Sequence, residues 1–585
     1  MLLRYIGMKW SVHLKAALAT FQSSPNVWKS YSIPVSALDI ERRLYFLGPT
    51  RLIAQPELTV ESIRAKHFRE EVFLEQLAER VDEQRGSYGD DVNEVGDTRK
   101  SSLQVTQSLL HTLRTEMIIK KGLCQDITVL RTDFSSFGPS LPHLTITTVL
   151  EALGMSDKWV EFFRRTLEAP VKFIEDCPDP IVQIRRRGTL PSSPMSDFMA
   201  EAVLFCLDFT VNKETSCARM YHLHDNIWLW GSEKSCTKAW DVMINNAKLT
   251  GLGFNREKTS CVEIAKPGDV VVPPNYSSLP EGDITWGFLK LDGSSGRFIV
   301  DQNLVNKHVK ELRPQLEACK SVIDYLQAWN VYGVLFFVNN IGQPANCFGV
   351  AHVQMMLETF HGIQSQLFGS KDHSADTLAD IGAANDITSV LQQMILSRFG
   401  VKVPEGYLYF PTFLGGLDLK NLFVTLGMIH DNIEFNPDAF MRSFFKEERA
   451  DYERAKKFFE TVTVPLRAQQ SKEVLEKDRF SHEPFMNFAE YTRYREQTST
   501  PLYRVYKRLM REPAEQVVLK TPEVNRALGD RNVWEEVLSA YEKRVVEMHA
   551  DDIISRFGGL HIVQKGWLPT GMVSMFRESR FQWKD

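Results

Sequence analysis

Hydrophobic positions along this chain follow two spacings, one typical of helices and one typical of strands. Between Val60 and Val81, apolar residues recur at helical spacing among many charges, and residues 1–82 as a whole are predicted to be helical. From Leu103 to about Phe298, short β-like runs alternate with amphipathic helices. Residues 300–368 and the remainder after residue 400 are again mainly helical. The pattern predicts an α+β fold with mainly helical N-terminal and C-terminal regions.

The mixed region contains the elements that matter most for function. Val129–Phe134 predicts a strand, and the next segments predict three helices at Thr145–Leu153, Lys158–Leu167 and Met195–Phe209. Two short apolar runs, Met220–Leu223 and Ile227–Trp230, then flank a polar point, His224-Asp225-Asn226. This arrangement predicts a β-hairpin with Asp225 at its tip.

Polar breaks divide the chain. Residues 83–102 are polar and contain glycine, which predicts a linker, and Ser370–Ala384 forms a second polar break. We therefore expect a helical N-terminal region (1–82), the linker (83–102), the mixed domain (103–298) and two helical regions (299–400 and 401–585). A length of 585 residues suits two to four such domains.

Composition narrows the class of protein further. A net charge of -5 gives no general attraction to nucleic acid, so any polyanion site must be a local basic groove. The 8 cysteines include no CxxC pair, which argues against a zinc knuckle or a disulfide scaffold and fits a reducing compartment. Cations interrupt the apolar N-terminus, and the longest apolar run, Val331–Val338, is too short for a membrane. We expect a protein that is nuclear or cytoplasmic, is not secreted and has no membrane partner.

Two aspartates stand out as candidates for chemistry. Asp133 ends a predicted strand, and Asp225 lies at the hairpin tip. A single aspartate in such a position is usually a cap or turn residue. Two of them on separate elements are compatible with one shared metal site, as phosphoryl transfer by paired divalent cations requires. The residues alone leave both interpretations open.

Five segments, in order, resemble the palm motifs of reverse transcriptases. The first is Asp133–His143, and the third is the hairpin, which falls where that family carries Tyr-x-Asp-Asp. The others are Arg187–Asp197, Gly251–Thr259 and the primer-grip-like turn Trp286–Leu289. Gly415-Gly416-Leu417 is similar to a downstream segment of retroelement polymerases. The chain most resembles reverse-transcriptase-like cellular proteins of filamentous fungi, which look descended from retroelement or telomerase-type polymerases.

The resemblance implies a right-hand polymerase palm in which an antiparallel sheet packs with helices. Residues 103–298 would be fingers and palm, and residues 299–400 a thumb-like region. The implied activity is RNA-directed DNA polymerase, a two-metal nucleotidyl transfer using Mg²⁺ or Mn²⁺. The implied partners are a template-primer of RNA or DNA and nucleoside triphosphates.

The resemblance also assigns roles to individual residues. Asp133 and Asp225 would bind the metal together with Asn226, and Lys258 would donate a proton to the pyrophosphate leaving group. The residues that would contact nucleotide, template or primer are Phe137, Gly138, Arg185, Arg186, Arg187, Trp286 and Phe288. Taken singly, each of these residues better fits a structural role: Lys258 an exposed turn lysine, the arginines a solvated edge and Trp286 core packing. The ordered set of motifs reverses that preference for the two aspartates alone.

Four departures from the family pattern bear on activity. Asn226 replaces the second aspartate of the hairpin, so one negative charge is missing from the metal site. Pro191-Ser192 replaces the template-contacting Gln-Gly. Gly138 replaces the bulky residue that excludes a ribose 2′-hydroxyl, which predicts poor discrimination between ribonucleotides and deoxyribonucleotides unless Phe137 fills the space. Residues 103–128 lack the basic, proline-rich block of the fingers.

These departures leave an alternative open. The chain is either a polymerase with weakened activity or a catalytically inactive relative that binds nucleic acid or acts as a scaffold. A basic helix outside the palm is equally compatible with nucleic-acid contact and with a solvated face. It carries Arg504, Lys507, Arg508 and Arg511 interleaved with Tyr503 and Tyr506.

Overall fold

The computed structural model describes most of the chain in two units. The described residues are 1–24, 26–29, 35–48, 58–82, 100–172, 181–190, 193–215, 218–264, 278–369, 386–461, 480, 482–528 and 533–563. Unit 1 comprises Met1–Ile284, Leu291–Arg297 and Asp438–Met510. Unit 2 comprises Thr285–Lys290, Phe298–Pro437 and Arg511–Asp585. Most of the predicted linker and the whole break at Ser370–Ala384 lie outside the described residues.

Helices make up most of both units. Up to the end of the mixed region they are α1 (Leu2–Gln22), α2 (Ala37–Leu47), α3 (Val60–His67), α4 (Ser102–Gly122), α5 (Phe137–Ser140), α6 (His143–Ala152), α7 (Asp157–Leu167), α8 (Pro194–Glu214) and α9 (Glu233–Thr250). The later helices are α10 (Gln302–Glu317), α11 (Val322–Ala328), α12 (Phe336–Ile341), α13 (Val350–Phe368), α14 (Ile387–Phe399), α15 (Glu405–Tyr409), α16 (Leu422–His430), α17 (Ala439–Thr461), α18 (Phe488–Tyr491), α19 (Arg495–Thr498), α20 (Thr500–Leu509), α21 (Pro522–Leu528) and α22 (Ala540–Phe557).

Short π-helical and 3₁₀ segments complete the helical structure. The π-helical segments are Phe68–Val72, Trp329–Leu335 and Val533–Val537, and the 3₁₀ segments are Arg256–Lys258 and Thr412–Leu414.

Within the described part of the chain, the strands form three small sheets. They are β1 (Ile127–Asp133), β2 (Pro170–Val171), β3 (Gln183–Ile184), β4 (Tyr221–Leu223), β5 (Asn226–Gly231), β6 (Ser260–Ile264), β7 (Thr285–Trp286), β8 (Leu289–Asp292) and β9 (Arg297–Val300). The largest sheet has the order β4-β5-β1-β6, and its three strand pairs are antiparallel. The α+β prediction is confirmed, and the predicted strand, hairpin and helices of the mixed region are all present within a few residues of their expected bounds.

Helices α8 and α9 cover one face of this sheet. The thiol of Cys236 on α9 donates to the carbonyl of Thr128 on β1 (3.4 Å). The imidazole Nε2 of His222 on β4 lies 2.9 Å from the carboxylate of Asp208 on α8, and both side chains are buried. Burial lowers the pKa of His222, but the charge and hydrogen bond of Asp208 outweigh it and raise that pKa to about 9. A buried ion pair therefore fastens the hairpin to α8.

A buried charge network joins distant segments within unit 1. Arg64 on α3 makes two 2.6 Å hydrogen bonds to Glu116 on α4 and a 2.7 Å bond to Glu496 on α19. The hydroxyl of Tyr506 on α20 donates to Glu116 (3.0 Å), and Lys120 bonds Glu496 (3.0 Å). Because buried charges need partners, the network ties the segment Asp438–Met510 to helices near the N-terminus.

Unit 2 is built around large aromatic side chains. Trp329, Phe337 and Phe360 are among its fully buried residues and contact one another or their neighbours edge-on or tilted. Among the described residues, no helix has the length and apolar character needed to cross a membrane.

Candidate active site

The antiparallel register brings the two candidate aspartates to one end of the central sheet. Asp133 is the last residue of β1, and its Cα partner on β5 is Asn226. The amide of Phe134 donates to the carbonyl of Asp225 (3.3 Å), so the turn abuts the end of β1. The Asp133 side chain is 9% exposed and that of Asp225 31% exposed. Both carboxylates thus lie at the same sheet end, one largely buried and one half-buried.

Lys258 joins this pair. Its ammonium Nζ lies 2.7 Å from a carboxylate oxygen of Asp133. The amide of Asn255 donates to the Asp133 carbonyl (2.7 Å), and the Asn255 side chain caps the 3₁₀ turn that carries Lys258. Beneath them, the hydroxyls of Thr132 and Thr259 share a 2.8 Å hydrogen bond. Three elements therefore converge on one ion pair.

Asp225 has an imidazole neighbour of its own. The His224 imidazole Nδ1 lies 3.0 Å from the Asp225 carboxylate. Burial raises the pKa of Asp225, but the hydrogen bond and charge of His224, with a contribution from Lys258, lower it overall. Burial lowers the pKa of His224, but the hydrogen bond and charge of Asp225 outweigh burial, so the net shift of that pKa is upward. Asp225 is therefore ionised at neutral pH.

The side-chain amide of Asn226, at the start of β5, faces Arg131 on the neighbouring strand β1. The Nε–H of Arg131 donates to the Asn226 side-chain oxygen (3.3 Å), and the guanidinium carbon Cζ lies 5.2 Å from the centroid of the Trp228 ring. Burial lowers the pKa of Arg131, and the charge of Asp133 opposes that shift. The side-chain oxygen of Asn226 is thus already hydrogen-bonded within the protein.

The carboxylate oxygens of Asp133 and Asp225 suit a hard divalent cation, but they supply few of the ligands that such a cation needs. Mg²⁺ is commonly held by one or two carboxylates, with waters and substrate phosphates supplying its other ligands. Asp133 and Asp225 match that number once Lys258 and His224 release them. Among the described residues, no cluster of three or more His, Cys, Asp or Glu side chains is arranged to hold a metal. The chemistry therefore suits a weakly held cation.

The turn after β1 sets the neighbourhood of Asp133. Phe137 is fully buried, stacked on Phe134 (5.3 Å) and edge-on to His224 (5.5 Å). It therefore supports the hairpin through packing. A Cβ atom added at Gly138 would meet only the Thr189 hydroxyl, at 3.8 Å, so the space beside Gly138 is open.

The loop of the second motif is locked onto the first. Gly188 has φ of +89°, and its carbonyl accepts from His143 Nε2 (2.9 Å). The guanidinium of Arg187 donates to the carbonyls of Ser140 (3.1 Å) and Gly251 (3.0 Å). The Gly188 amide donates back to the carbonyl of Leu141 (2.9 Å). Arg187 therefore acts as a structural clamp between three segments.

The other two arginines differ from each other. Arg185 donates to the Leu167 carbonyl (3.3 Å) and is half-buried. Arg186 is exposed, and its guanidinium bonds no residue that the structure describes. Arg186 is thus the one of the three whose guanidinium has no hydrogen-bond partner among the described residues. Pro191-Ser192 lies outside the described residues.

Trp286 and Phe288 belong to unit 2, whereas the aspartates belong to unit 1. Trp286 pairs with Leu289 across the β7–β8 hairpin, whose turn contains Gly287 at φ of +55°. Trp286 is half-buried. Phe288 is buried and packs against His308 (5.4 Å). Phe288 therefore holds the turn in place through core contacts.

The basic helix α20 is engaged within unit 1. Tyr506 is buried, so its ring is not available to stack on a base. Arg504 pairs with Glu447 (3.8 Å), and the Arg508 guanidinium lies over the Phe440 ring (4.3 Å). Because these side chains already contact other residues of unit 1, the contacts favour an ordinary structural helix over a helix whose face binds nucleic acid.

Two residues of this site have no role in the sequence prediction, His224 and Arg131. His224 precedes Asp225 directly, and its contact with that carboxylate follows from the φ of +57° in the turn. Arg131 lies two residues before Asp133, and alternation along a strand puts both on one face. The strand period could have identified Arg131, whereas the turn conformation at His224 is not visible in the sequence.

Comparisons with known proteins give weak likenesses. No protein-family model and no curated sequence matches the chain. Among solved structures, the chain is similar to apo telomerase from Candida tropicalis, with 13% identity and a TM-score of 0.28 over 55% of this chain and 50% of that one. It is also similar to telomerases in complex with a TWJ fragment of telomeric RNA. For the Candida tropicalis complex the identity is 12% and the TM-score 0.27 over 62% and 56% of the two chains, and for Candida albicans they are 11% and 0.24 over 58% and 57%.

The chain thus spans roughly half the length of these telomerases. At such scores the likeness is too weak to establish a fold or a function.

Proposed function

We propose that this chain is a reverse-transcriptase-like polymerase that catalyses nucleotidyl transfer on a primed RNA or DNA template. What carries the proposal is the meeting of Asp133, Asp225 and Lys258 at one end of an antiparallel sheet. The five palm-like motifs in sequence order support the same conclusion. The right-hand palm and its thumb are part of this proposal, and a nuclear or cytoplasmic location would suit the template.

The proposed reaction joins the primer 3′-oxygen to the α-phosphorus of a nucleoside triphosphate and breaks the bond to pyrophosphate. Asp133 and Asp225 would hold Mg²⁺ or Mn²⁺, which supplies positive charge for the phosphoryl oxygens. Lys258, released from Asp133, would donate a proton to the leaving pyrophosphate. Arg186 would bind a phosphate through its exposed guanidinium.

The expected activity is weak. In the free protein, Lys258 and His224 are hydrogen-bonded to the two carboxylates, and Arg131 donates to the amide oxygen of Asn226. A cation must compete with these partners while gaining only two formal charges from the protein. Metal affinity and extension rate should therefore both be reduced.

The test is template-primed extension with Mg²⁺ and with Mn²⁺. Asp133→Ala and Asp225→Ala should abolish extension, because each removes half of the carboxylate charge. Asp241→Ala removes an exposed aspartate on α9 and should leave the rate unchanged. Equal extension by all four proteins, wild type included, would contradict the polymerase proposal.

A second candidate is a catalytically inactive relative that binds nucleic acid or acts as a scaffold. The contacts of both carboxylates favour it, since Asp133 and Asp225 each already have a partner within the protein, Lys258 and His224. In that case wild-type protein shows no extension with either metal. Binding to a template-primer would then persist when the metal is removed with a chelator.

A further inference from the structure

The stretch Gln516–Lys520 in unit 2, shortly before α21, has the exposure pattern of a β-strand. Residues 511–520 contain no helix, turn or bend. From Gln516 to Lys520, half-buried and exposed residues alternate, which is the period of two that an extended chain has. Val517 is 86% exposed and Leu519 is 78% exposed, so both aliphatic side chains lie on the solvent side. We refer to Gln516–Lys520 as the exposed strand.

The backbone of the exposed strand is unpaired. The amides and carbonyls of Val517, Val518 and Leu519 make no hydrogen bond with any residue that the structure describes. A row of unpaired amides and carbonyls on an extended segment is a template for a further strand. Proteins usually protect such an edge with charged residues, proline or a covering element. Here three aliphatic residues in succession, two of them β-branched, favour strand pairing instead.

Contacts at both ends hold the exposed strand in place. The amide of Gln516 donates to the carbonyl of Met428 (2.8 Å), and the Gln516 side-chain amide donates to the carboxylate of Asp431 (3.0 Å). At the other end, the ammonium of Lys520 lies 6.0 Å from the centroid of the Trp534 ring. Because the segment is already held in an extended form, it loses little conformational freedom when a second strand pairs with it.

The sequence of the exposed strand suits a second copy of itself in the antiparallel orientation. When the pairing is centred on Val518, Val517 lies opposite the partner's Leu519, and Gln516 lies opposite the partner's Lys520. Each aliphatic side chain then meets another aliphatic side chain, and no like charges meet. A parallel pair in register would instead place the two copies of Lys520 side by side, which is destabilising. An antiparallel pair also has two-fold symmetry, the commonest symmetry of soluble homo-oligomers.

We propose that unit 2 carries a homodimerisation edge, at which the exposed strands of two copies of this chain pair antiparallel about a two-fold axis at Val518. Backbone hydrogen bonds along Val517–Leu519 join the copies, and Val517 and Leu519 cover each other on the solvent side. A pairing this short buries less than the roughly 1,200 Å² of a stable interface, so we expect a dissociation constant on the order of 10–100 μM. The proposal concerns assembly and does not depend on polymerase activity.

The first test is sedimentation equilibrium of the full chain at concentrations from about 1 to about 200 μM. The weight-average mass should rise with concentration from the value of one chain toward that of two. A chain that stays monomeric over this range would overturn the proposal, and that result is also the one expected if the exposed strand pairs with a different protein.

A matched pair of variants locates the interface. Leu519→Lys puts a charge opposite the partner's Val517, so the dissociation constant should rise by at least about tenfold. Leu249→Lys makes the same change on α9, at a residue that is 86% exposed, and should leave the association unchanged. Both positions are exposed, so neither substitution disturbs the core. Equal association of the two variants would contradict the assignment of the interface.

Cysteine cross-linking tests the register. Val518→Cys should give a disulfide-linked dimer on mild oxidation, because the residue faces its own copy at a Cα separation of about 5 Å. Val517→Cys is the control, since its copy lies about 8 Å away in this register, beyond disulfide reach. Wild type treated in the same way gives the background from the native cysteines. Equal cross-linking of the two variants, or none in Val518→Cys, would rule out the two-fold pairing.

Discussion

At the scale of single residues, each polar side chain at the end of β1 and in the hairpin turn has a protein partner. Asp133 faces Lys258, Asp225 faces His224, and Asn226 accepts from Arg131. The asparagine is the position where this hairpin differs in charge from an aspartate pair, while Arg131 lies close enough to stabilise an added charge. Replacing Asn226 with aspartate therefore tests whether the missing negative charge limits metal binding at the site.

We predict that Asn226→Asp strengthens metal-dependent extension. A third carboxylate adds charge to the donor set, so the Mg²⁺ concentration for half-maximal extension should fall by about tenfold. The measurement is a metal titration of primer extension. Asn245→Asp adds the same charge at an exposed position on α9 and should change nothing. An unchanged titration for Asn226→Asp would show that charge is not the limiting factor.

The space beside Gly138 leads to a second prediction, which concerns the choice between ribonucleotides and deoxyribonucleotides. The open space beside it, and the burial of Phe137, leave room for a ribose 2′-hydroxyl. Gly138→Tyr should raise the preference for deoxyribonucleotides by at least about tenfold, measured as the ratio of kcat/KM values. Gly138→Ala, which fills little space, should change that ratio much less. A strict deoxyribonucleotide preference in the wild type would contradict the prediction.

At the scale of elements, two loops are locked by a backbone conformation that glycine provides. Gly188 at φ of +89° lets the second-motif loop exchange hydrogen bonds with Leu141 and His143. A Cβ atom there would approach the Pro139 carbonyl oxygen to 3.0 Å. This interlock holds the turn after β1, and with it Asp133, in place.

Gly188→Ala should lower the free energy of unfolding by about 1–3 kcal/mol, because alanine is strained in this conformation. Urea denaturation measures the change. Gly253→Ala is the control, since a Cβ atom there meets no atom within 4 Å. A loss of stability as large for Gly253→Ala would contradict the explanation by strain.

Strands and helices are also the features that the sequence predicts best. Strand alternation located β1, and the polar point His224-Asp225-Asn226 located the hairpin, because both are local patterns. The partners of Asp225 and Asn226 were not predictable, since they depend on a turn conformation and on strand register. Phe137 and Phe288 read as ligand-facing residues in the motifs, yet tertiary packing buries both rings.

At the scale of the whole molecule, unit 1 combines distant parts of the chain. The network of Arg64, Glu116 and Glu496 joins residues more than 400 positions apart. Burial raises the pKa of Glu496, but the charges and hydrogen bonds of Arg64 and Lys120 lower it to about 2. No local pattern reveals this network, because its partners meet only in the folded chain.

The network predicts a pH dependence of stability. The pKa of Glu496 is lowered on folding, so its contribution is present above the ordinary glutamate pKa and is lost as the pH falls toward about 2. Its size is on the order of 3 kcal/mol. Glu496→Gln should therefore be less stable at pH 7 and should lose less stability between pH 7 and about pH 3, measured by the urea midpoint.

The control for this prediction is Glu151→Gln, which replaces an exposed glutamate on α6. It should preserve the acid sensitivity of the wild type. Identical pH profiles for Glu496→Gln and wild type would mean that other carboxylates account for acid unfolding.

The order in which the parts of unit 1 occur along the chain affects its biosynthesis. Asp438–Met510 completes a unit whose other parts end near residue 297. At roughly 5–20 residues per second, a ribosome needs on the order of ten to forty seconds to make the intervening and completing residues. During that interval Arg64 lacks its partner Glu496, and Glu116 lacks its partner Tyr506. The nascent N-terminal half therefore depends on the emergence of its own later segment, and truncation before residue 510 would leave it open to chaperones and proteases.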